Sequence, residues 1–161
     1  MDSREGFLDT RVKDIAQLTT GPGDSEKGVL TADPSDTVFE CIERMADRDV
    51  GSIVVMEGDA IVGIFTERDY MRKIALKGRS SKETRVREVM TSKVATVQPD
   101  DSLVDGLRIM TEIWCRHLPV VNDDEDLIGI VSIRDGVEEV INNAEQETDL
   151  LLQYINGQYS V

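Results

Sequence analysis

Apolar residues along this chain fall into two alternating patterns. After the turn-forming stretch DPSDT, Val38, Cys41, Ile42 and Met45 recur at helical spacing, which predicts a helix capped by Ser35 or Asp36. Leu103, Leu107 and Met110 repeat that spacing later in the chain. Between the two lies a β-branched run, Ile53, Val54 and Val55, then the turn signal Glu57-Gly58-Asp59, then a second run over residues 61–65, together a predicted hairpin. Val120-Val121 and residues 127–131 form the same pattern around a polar turn at 122–126. A helix is predicted after each hairpin, near 67–77 and 133–142. A further amphipathic helix is expected over 144–154, with Leu150, Leu151 and Tyr154 on its apolar side, suited to covering the core or a subunit contact.

The similarity of the two halves is a sequence repeat. VLTADPSDTV (29–38) returns as VATVQPDDSL (94–103), a shift of 65, and SIVVMEGDAIVGIFTERD (52–69) returns as LPVVNDDEDLIGIVSIRD (118–135), a shift of 66. This alignment puts the one extra residue of the second copy near Trp114. Two copies of about sixty residues are too few for a solenoid, which needs about three stacked units. They suit an α/β fold of the α+β type, in which two tandem βαββα units hide their bare sheet faces against each other about a pseudo-twofold axis. The expected boundaries are an N-terminal extension at 1–11, a first repeat at 12–77, a polar linker at 78–85 around GRSSKET, a second repeat at 86–141, and a C-terminal helix and tail at 142–161.

Charge narrows the function. The chain carries a formal net charge of −14, which disfavours nucleic acid or an anionic membrane as a partner. No apolar run reaches the roughly eighteen residues of a membrane span, and MDSREGFLDT lacks the order of a signal peptide, so a cytoplasmic location is expected. Cys41 and Cys115 are too few for a disulfide framework or a cysteine metal site, and small core roles are expected for both. Acids divide into 18 Asp and 14 Glu, bases into 12 Arg and 6 Lys, an Asp-rich, Lys-poor balance like the acidic surfaces of proteins from salt-loving microbes. Within this acidic chain, residues 66–87 hold eight bases against three acids, a strip able to draw a small anion.

That strip opens on TERD, residues 66–69. A hydroxyl followed three residues later by an acid is a capping box, and an isolated one is ordinarily nothing more. Here the second copy answers with SIRD. Thr66, Arg68 and Asp69 match Ser132, Arg134 and Asp135, so a hydroxyl, a base and an acid recur where a helix leaves a strand. Such a helix start can take phosphate, and a carboxylate there can grip a ribose diol.

The doubled pattern of Gly-hydrophobic-x-Ser/Thr-x-x-Asp after a hairpin, with Pro-Val-Val at 119–121, resembles the cystathionine-β-synthase-type (CBS) domain pair, or Bateman module. The likeness covers about residues 12–141, and VGSIVV, FTERDY, RKI, GRSSKET and RHLPVV narrow it to small stand-alone proteins made of one pair. It implies an adenine nucleotide between the copies: AMP, ADP or ATP, with NADH or S-adenosylmethionine in some members. By position it implies that Asp69 and Asp135 hold ribose hydroxyls, with Thr66 and Ser132 beside the sugar or first phosphate. Val50, Gly51 and the backbone near Arg116 would border adenine. Arg116 and His117 would reach phosphate in one site, where the other has Val50 and Gly51 and must rely on Arg68, Arg72 or Lys73. The chain lacks a Walker loop, zinc spacing and a GxGxxG fingerprint, and a lone His117 is weak ground for catalysis. The expected function is therefore a non-enzymatic sensor, a homodimer of pairs that takes an adenosyl ligand and modulates a separate effector protein. The alternative is a ligand-free dimeric scaffold in which TERD and SIRD are caps alone.

Overall fold

The computed structural model describes residues 9–18 and 28–155. A short helix, α1 (Val12–Ile15), and a two-residue strand, β1 (Gln17–Leu18), come first. The first unit follows as β2 (Thr31–Ala32), α2 (Val38–Asp47), β3 (Ser52–Glu57) and β4 (Ala60–Thr66). β4 runs straight into α3 (Glu67–Asp69), which continues as a π turn, Tyr70–Ile74, and a 3-10 turn, Ala75–Lys77. After another 3-10 turn, Val86–Glu88, the second unit supplies α4 (Leu103–Glu112), β5 (His117–Val121), β6 (Leu127–Ser132) and a long α5 (Ile133–Ile155). The strands form two three-stranded sheets, β2-β3-β4 and β1-β6-β5, each beside its own hydrophobic cluster. The mixed α/β architecture with two tandem units is the one the repeat predicts.

The hydroxyl that starts α2 is Thr37, not Ser35 or Asp36. Thr37 Oγ1 accepts from the Glu40 N–H, and the Glu40 carboxylate accepts from the Thr37 N–H at 2.7 Å, closing a capping box. The expected caps are occupied elsewhere: Ser35 Oγ donates to Asp33, while Asp36 accepts from the Asp33 N–H and pairs with Arg44.

The strand register moves the extra residue of the second copy. Ser52 pairs with Thr66 and His117 with Ser132; Val55 pairs with Gly63 and Val120 with Gly129. β5 therefore matches β3 at a shift of 65, and only β6 matches β4 at 66. Upstream, Asp49 and Trp114 share a left-handed backbone, with φ of 50° and 56°. The Val50 N–H bonds to the Met45 carbonyl as the Cys115 N–H does to that of Met110. The insertion thus lies in the second hairpin turn, where the Asn122 N–H reaches the Asp126 carbonyl, and not near Trp114. As a result, the counterparts of Arg116 and His117 are Gly51 and Ser52, rather than Val50 and Gly51.

The units also exchange their entry segments. Residues 12–18, expected in the first repeat, pack on the second: β1 pairs antiparallel with β6, and Val12 lies fully buried in the second unit's cluster with Ile15 and Ala16 against it. Residues 86–91, expected in the second repeat, do the reverse. Val86 and Val89 belong to the first unit's cluster, and Thr91 bridges Ile64 of β4. The two segments are equivalent, because the Val12 N–H bonds to the Asp101 carbonyl as the Val86 N–H does to that of Asp36. Met90 lies against Gly63 so closely that a Cβ there would collide with its sulfur, which explains the glycine three residues after the strand begins to pair.

The last helix is single. The sequence predicts separate helices at 133–142 and 144–154, whereas α5 runs unbroken from Ile133 to Ile155. No glycine or proline interrupts residues 137–155, so the backbone has no reason to stop. Leu150 and Leu151 lie exposed on it, and the side chain of Tyr154 is outside the described residues.

Candidate functional site

The exchange brings the start of each post-hairpin helix against the other unit and leaves two clefts between them. The first, about 780 Å³, is bounded by the β4–α3 junction on one side and by residues 91–95 and 113–118 on the other. Thr66, Arg68 and Asp69 all line it. Asp69 Oδ2 accepts from the Thr66 N–H at 3.0 Å and from its hydroxyl at 3.1 Å, while Lys73 Nζ sits 2.9 Å from Oδ1. TERD is therefore a complete capping box, and its acid is also charge-paired. Arg68 leaves the helix and donates to the Trp114 carbonyl at 2.9 Å, tying the motif to the opposite unit. Four bases, Arg68, Arg72, Lys93 and Arg116, line this cleft against two acids, Glu67 and Asp69.

The second cleft, about 570 Å³, holds Ser132, Arg134 and Asp135, with Val50 on its wall. Asp135 Oδ2 accepts from the Ser132 N–H at 2.8 Å and from its hydroxyl at 2.7 Å, so SIRD is a capping box too. The position of Lys73 falls on Glu139, which bonds Asn143, and Oδ1 of Asp135 has no hydrogen-bond partner among the described residues. Arg134 turns along its own helix to Glu138. Acids outnumber bases here: Asp49, Glu67, Asp135 and Glu138 against Arg48, Arg116 and Arg134. The two clefts are related by the repeat but differ in charge balance, the first having the surplus of bases and the second a slight surplus of acids.

Gly51, Glu67, Arg116 and His117 border both clefts and form the wall between them. A Cβ on Gly51 would stand 3.3 Å from Glu67 Oε2 and 3.4 Å from His117 Cε1, so this wall is packed as closely as a glycine allows. Burial pushes the His117 imidazole below its ordinary pKa; the Asp135 and Glu67 carboxylates pull it upward less strongly, and Arg116 adds to the depression. Arg116 lies on both clefts rather than in one of them.

Of the residues picked out by sequence, the structure gathers all ten at these clefts: Thr66, Arg68 and Asp69 at the first, Val50, Ser132, Arg134 and Asp135 at the second, and Gly51, Arg116 and His117 between. Lys93, Trp114, Glu67 and Arg48 were missed. Glu67 and Trp114 break the repeat, standing where the other copy has Ile133 and Asp49, and that break was the available signal. Burial drives the Cys41 thiol to about 12 and raises that of Cys115, so neither is poised as a thiolate nucleophile. What the clefts offer is hydroxyls, carboxylates and guanidinium groups.

Comparison with known proteins agrees with this fold. The CBS domain family matches residues 23–76 and 86–142. A CBS domain-containing protein of Arabidopsis thaliana, CBSX3, mitochondrial, is 38% identical over 159 residues, 96% of this chain and 76% of that protein. The structure of a CBS-domain protein from Burkholderia ambifaria superposes with a TM-score of 0.73 at 45% identity, over 83% of this chain and 95% of that one. The structure of CBSX2 in complex with AMP gives a TM-score of 0.64 over 82% of this chain and 96% of that one; at 23% identity that likeness speaks to the fold alone.

Proposed function

The chain belongs to the CBS-domain family, and we propose that it serves as a regulatory module whose clefts take an adenosyl ligand and whose liganded form is read by a separate protein. The observation that carries this reading is the doubled placement of hydroxyl and acid: Thr66/Asp69 and Ser132/Asp135 each sit at the lip of a nucleotide-sized cleft. A carboxylate has about four lone-pair positions, and the cap uses one oxygen, so a ribose hydroxyl can still be received. Membership of the CBS-domain family, rather than that fold likeness, is the ground for adenine as the base in our reading.

The unequal linings set the ligand's charge. The base-rich first cleft suits a phosphorylated adenosine such as AMP, ADP or ATP, with Arg68, Arg72, Lys93 and Arg116 facing the phosphate. The acid-rich second cleft suits an adenosyl group with little negative charge, S-adenosylmethionine among them; NADH remains a candidate for the first. A ligand acts on such a pair only through unequal affinity for two arrangements of the units, and a tenfold preference supplies about 1.4 kcal/mol. Exposed Val137, Val140 and Ile141 on α5, with Met71 and Leu76 after α3, support assembly as a homodimer of pairs. We place the protein in the cytoplasm and assign it no turnover of its ligand.

One observation favours a second reading. Both acids are already engaged as caps, which is all a ligand-free scaffold would require of them. Thermal unfolding separates the two: AMP or ATP at a hundred times its dissociation constant stabilises a specific site by about 2.7 kcal/mol. Melting that is indifferent to AMP, ATP, NADH and S-adenosylmethionine supports the scaffold.

A further inference from the structure

We infer that Trp114 is the base-stacking residue of the first cleft, its indole covering the flat base of a nucleotide whose sugar and phosphate lie toward Asp69 and the neighbouring bases. The inference rests on the adenosyl reading and adds the residue that recognises the base. Three observations carry it.

The first is position and exposure. Trp114 lines the first cleft yet is 81% exposed, and it belongs to neither hydrophobic cluster. Its neighbour Ile113 lines the same wall and is also exposed, so an apolar edge stands over a cleft that also carries Arg68, Arg72, Lys93 and Arg116. The second is backbone conformation. Trp114 holds a left-handed φ of 56°, an outlier for a bulky side chain. The fold does not ask for an aromatic residue there: the equivalent residue in the first unit is Asp49, at φ 50°, a residue type that tolerates this region well. Such strain persists where surrounding contacts impose it, and it clusters at ligand sites. The third is the Arg68 Nη1 bond to the Trp114 carbonyl at 2.9 Å, which fixes the strained peptide to the helix that carries Asp69. An aromatic face over a site with charged groups below is the arrangement that recognises a nucleobase, since stacking holds any flat base and charge holds the phosphate.

Trp114 is the sole tryptophan of the chain, so its emission reports this position alone. AMP and ribose 5-phosphate are titrated into the wild-type protein, followed in parallel by fluorescence and by calorimetry. Calorimetry then measures AMP against Trp114→Ala and Trp114→Phe, with circular dichroism checking the fold. The expected result is an emission change that saturates with the calorimetric AMP curve and is absent with ribose 5-phosphate. Trp114→Ala then weakens AMP about tenfold or more, and Trp114→Phe recovers most of the loss. AMP heat with unchanged emission and equal affinity in Trp114→Ala overturns this inference and leaves the adenosyl reading standing. Emission that follows protein concentration rather than AMP also overturns it, making Trp114 a contact between copies. A lack of heat with AMP removes the AMP reading and the base contact together.

Discussion

At the scale of residues, the two acids that cap their helices are not equivalent. Asp69 is held by Thr66 and by Lys73, whereas among the described residues Asp135 is held by Ser132 alone, and its charge acts on His117, which lines the same cleft. His117 is the only histidine of the chain, so its titration can be followed by proton NMR without overlap. Because burial dominates, the folded-state pKa should lie below the ordinary 6.5. Between those two values the unfolded chain binds more protons than the folded one, so this group's contribution to stability is complete above pH 6.5 and declines as pH falls through that window. His117→Gln should therefore flatten the loss of melting temperature between neutral pH and the folded pKa. A His117 that titrates above 6.5 would mean that Glu67 and Asp135 outweigh burial.

The capping boxes were legible because they depend on spacing within four residues, and Thr66/Asp69 and Ser132/Asp135 form as read. Thr37 shows the limit of that kind of reading. In PSDT three residues could cap, and the choice fell to Arg44, which draws Asp36 away from the helix start.

At the scale of elements, helices and hairpins were visible as periodicities, but pairing across the chain was not. Ile53, Val54 and Val55 are all 0% exposed, and residues 118–121 are buried without a break. A strand covered on both faces has no alternation to fix its register, so matching Val54-Val55 to Val120-Val121 looked as sound as the true one-residue offset. The exchange of entry segments leaves a trace in the sequence: RVKDI at 11–15 and RVREV at 85–89 share the pattern Arg-Val-base-acid-β-branched at a shift of 74, outside both other registers. Because Val12 and Val86 each fill the other unit's core, Val12→Ala and Val86→Ala should each cost about 2 kcal/mol in chemical denaturation. The two units should still unfold in a single transition. A cost under about 0.5 kcal/mol for Val12→Ala would show that α1 and β1 are only loosely attached.

At the scale of the whole molecule, a net charge of −14 surrounds two clefts of unequal charge balance. Surplus acids repel one another, and salt screens that repulsion within about 10 Å at 0.1 M and about 3 Å at 1 M. If the Asp-rich, Lys-poor composition is an adaptation to salt, the melting temperature should rise with KCl into the molar range; a flat or falling curve would make it an ordinary acidic protein. No helix among the described residues is long and apolar enough to cross a membrane. The exposed apolar side of α5 is what a second copy would cover, and sedimentation should give twice the 17.9 kDa chain mass. The asymmetry of the clefts was only half legible. Arg68 and Arg72 stood in a basic strip that sequence marks plainly, but Lys93 and Arg116 join them only once the chain folds.

The central claim is that Asp69 and Asp135 serve a ligand as well as a helix, and calorimetric titration of AMP and S-adenosylmethionine into the wild type, Asp69→Asn and Asp135→Asn tests it most directly. Asparagine keeps the capping acceptor, so each variant should stay folded at a cost of at most about 1 kcal/mol. The account predicts that Asp69→Asn weakens AMP by about tenfold or more, the loss of a charge-assisted hydrogen bond of about 1.5 kcal/mol, and that Asp135→Asn does the same to S-adenosylmethionine. Binding of both ligands that is unchanged in both variants would contradict it and leave TERD and SIRD as helix caps.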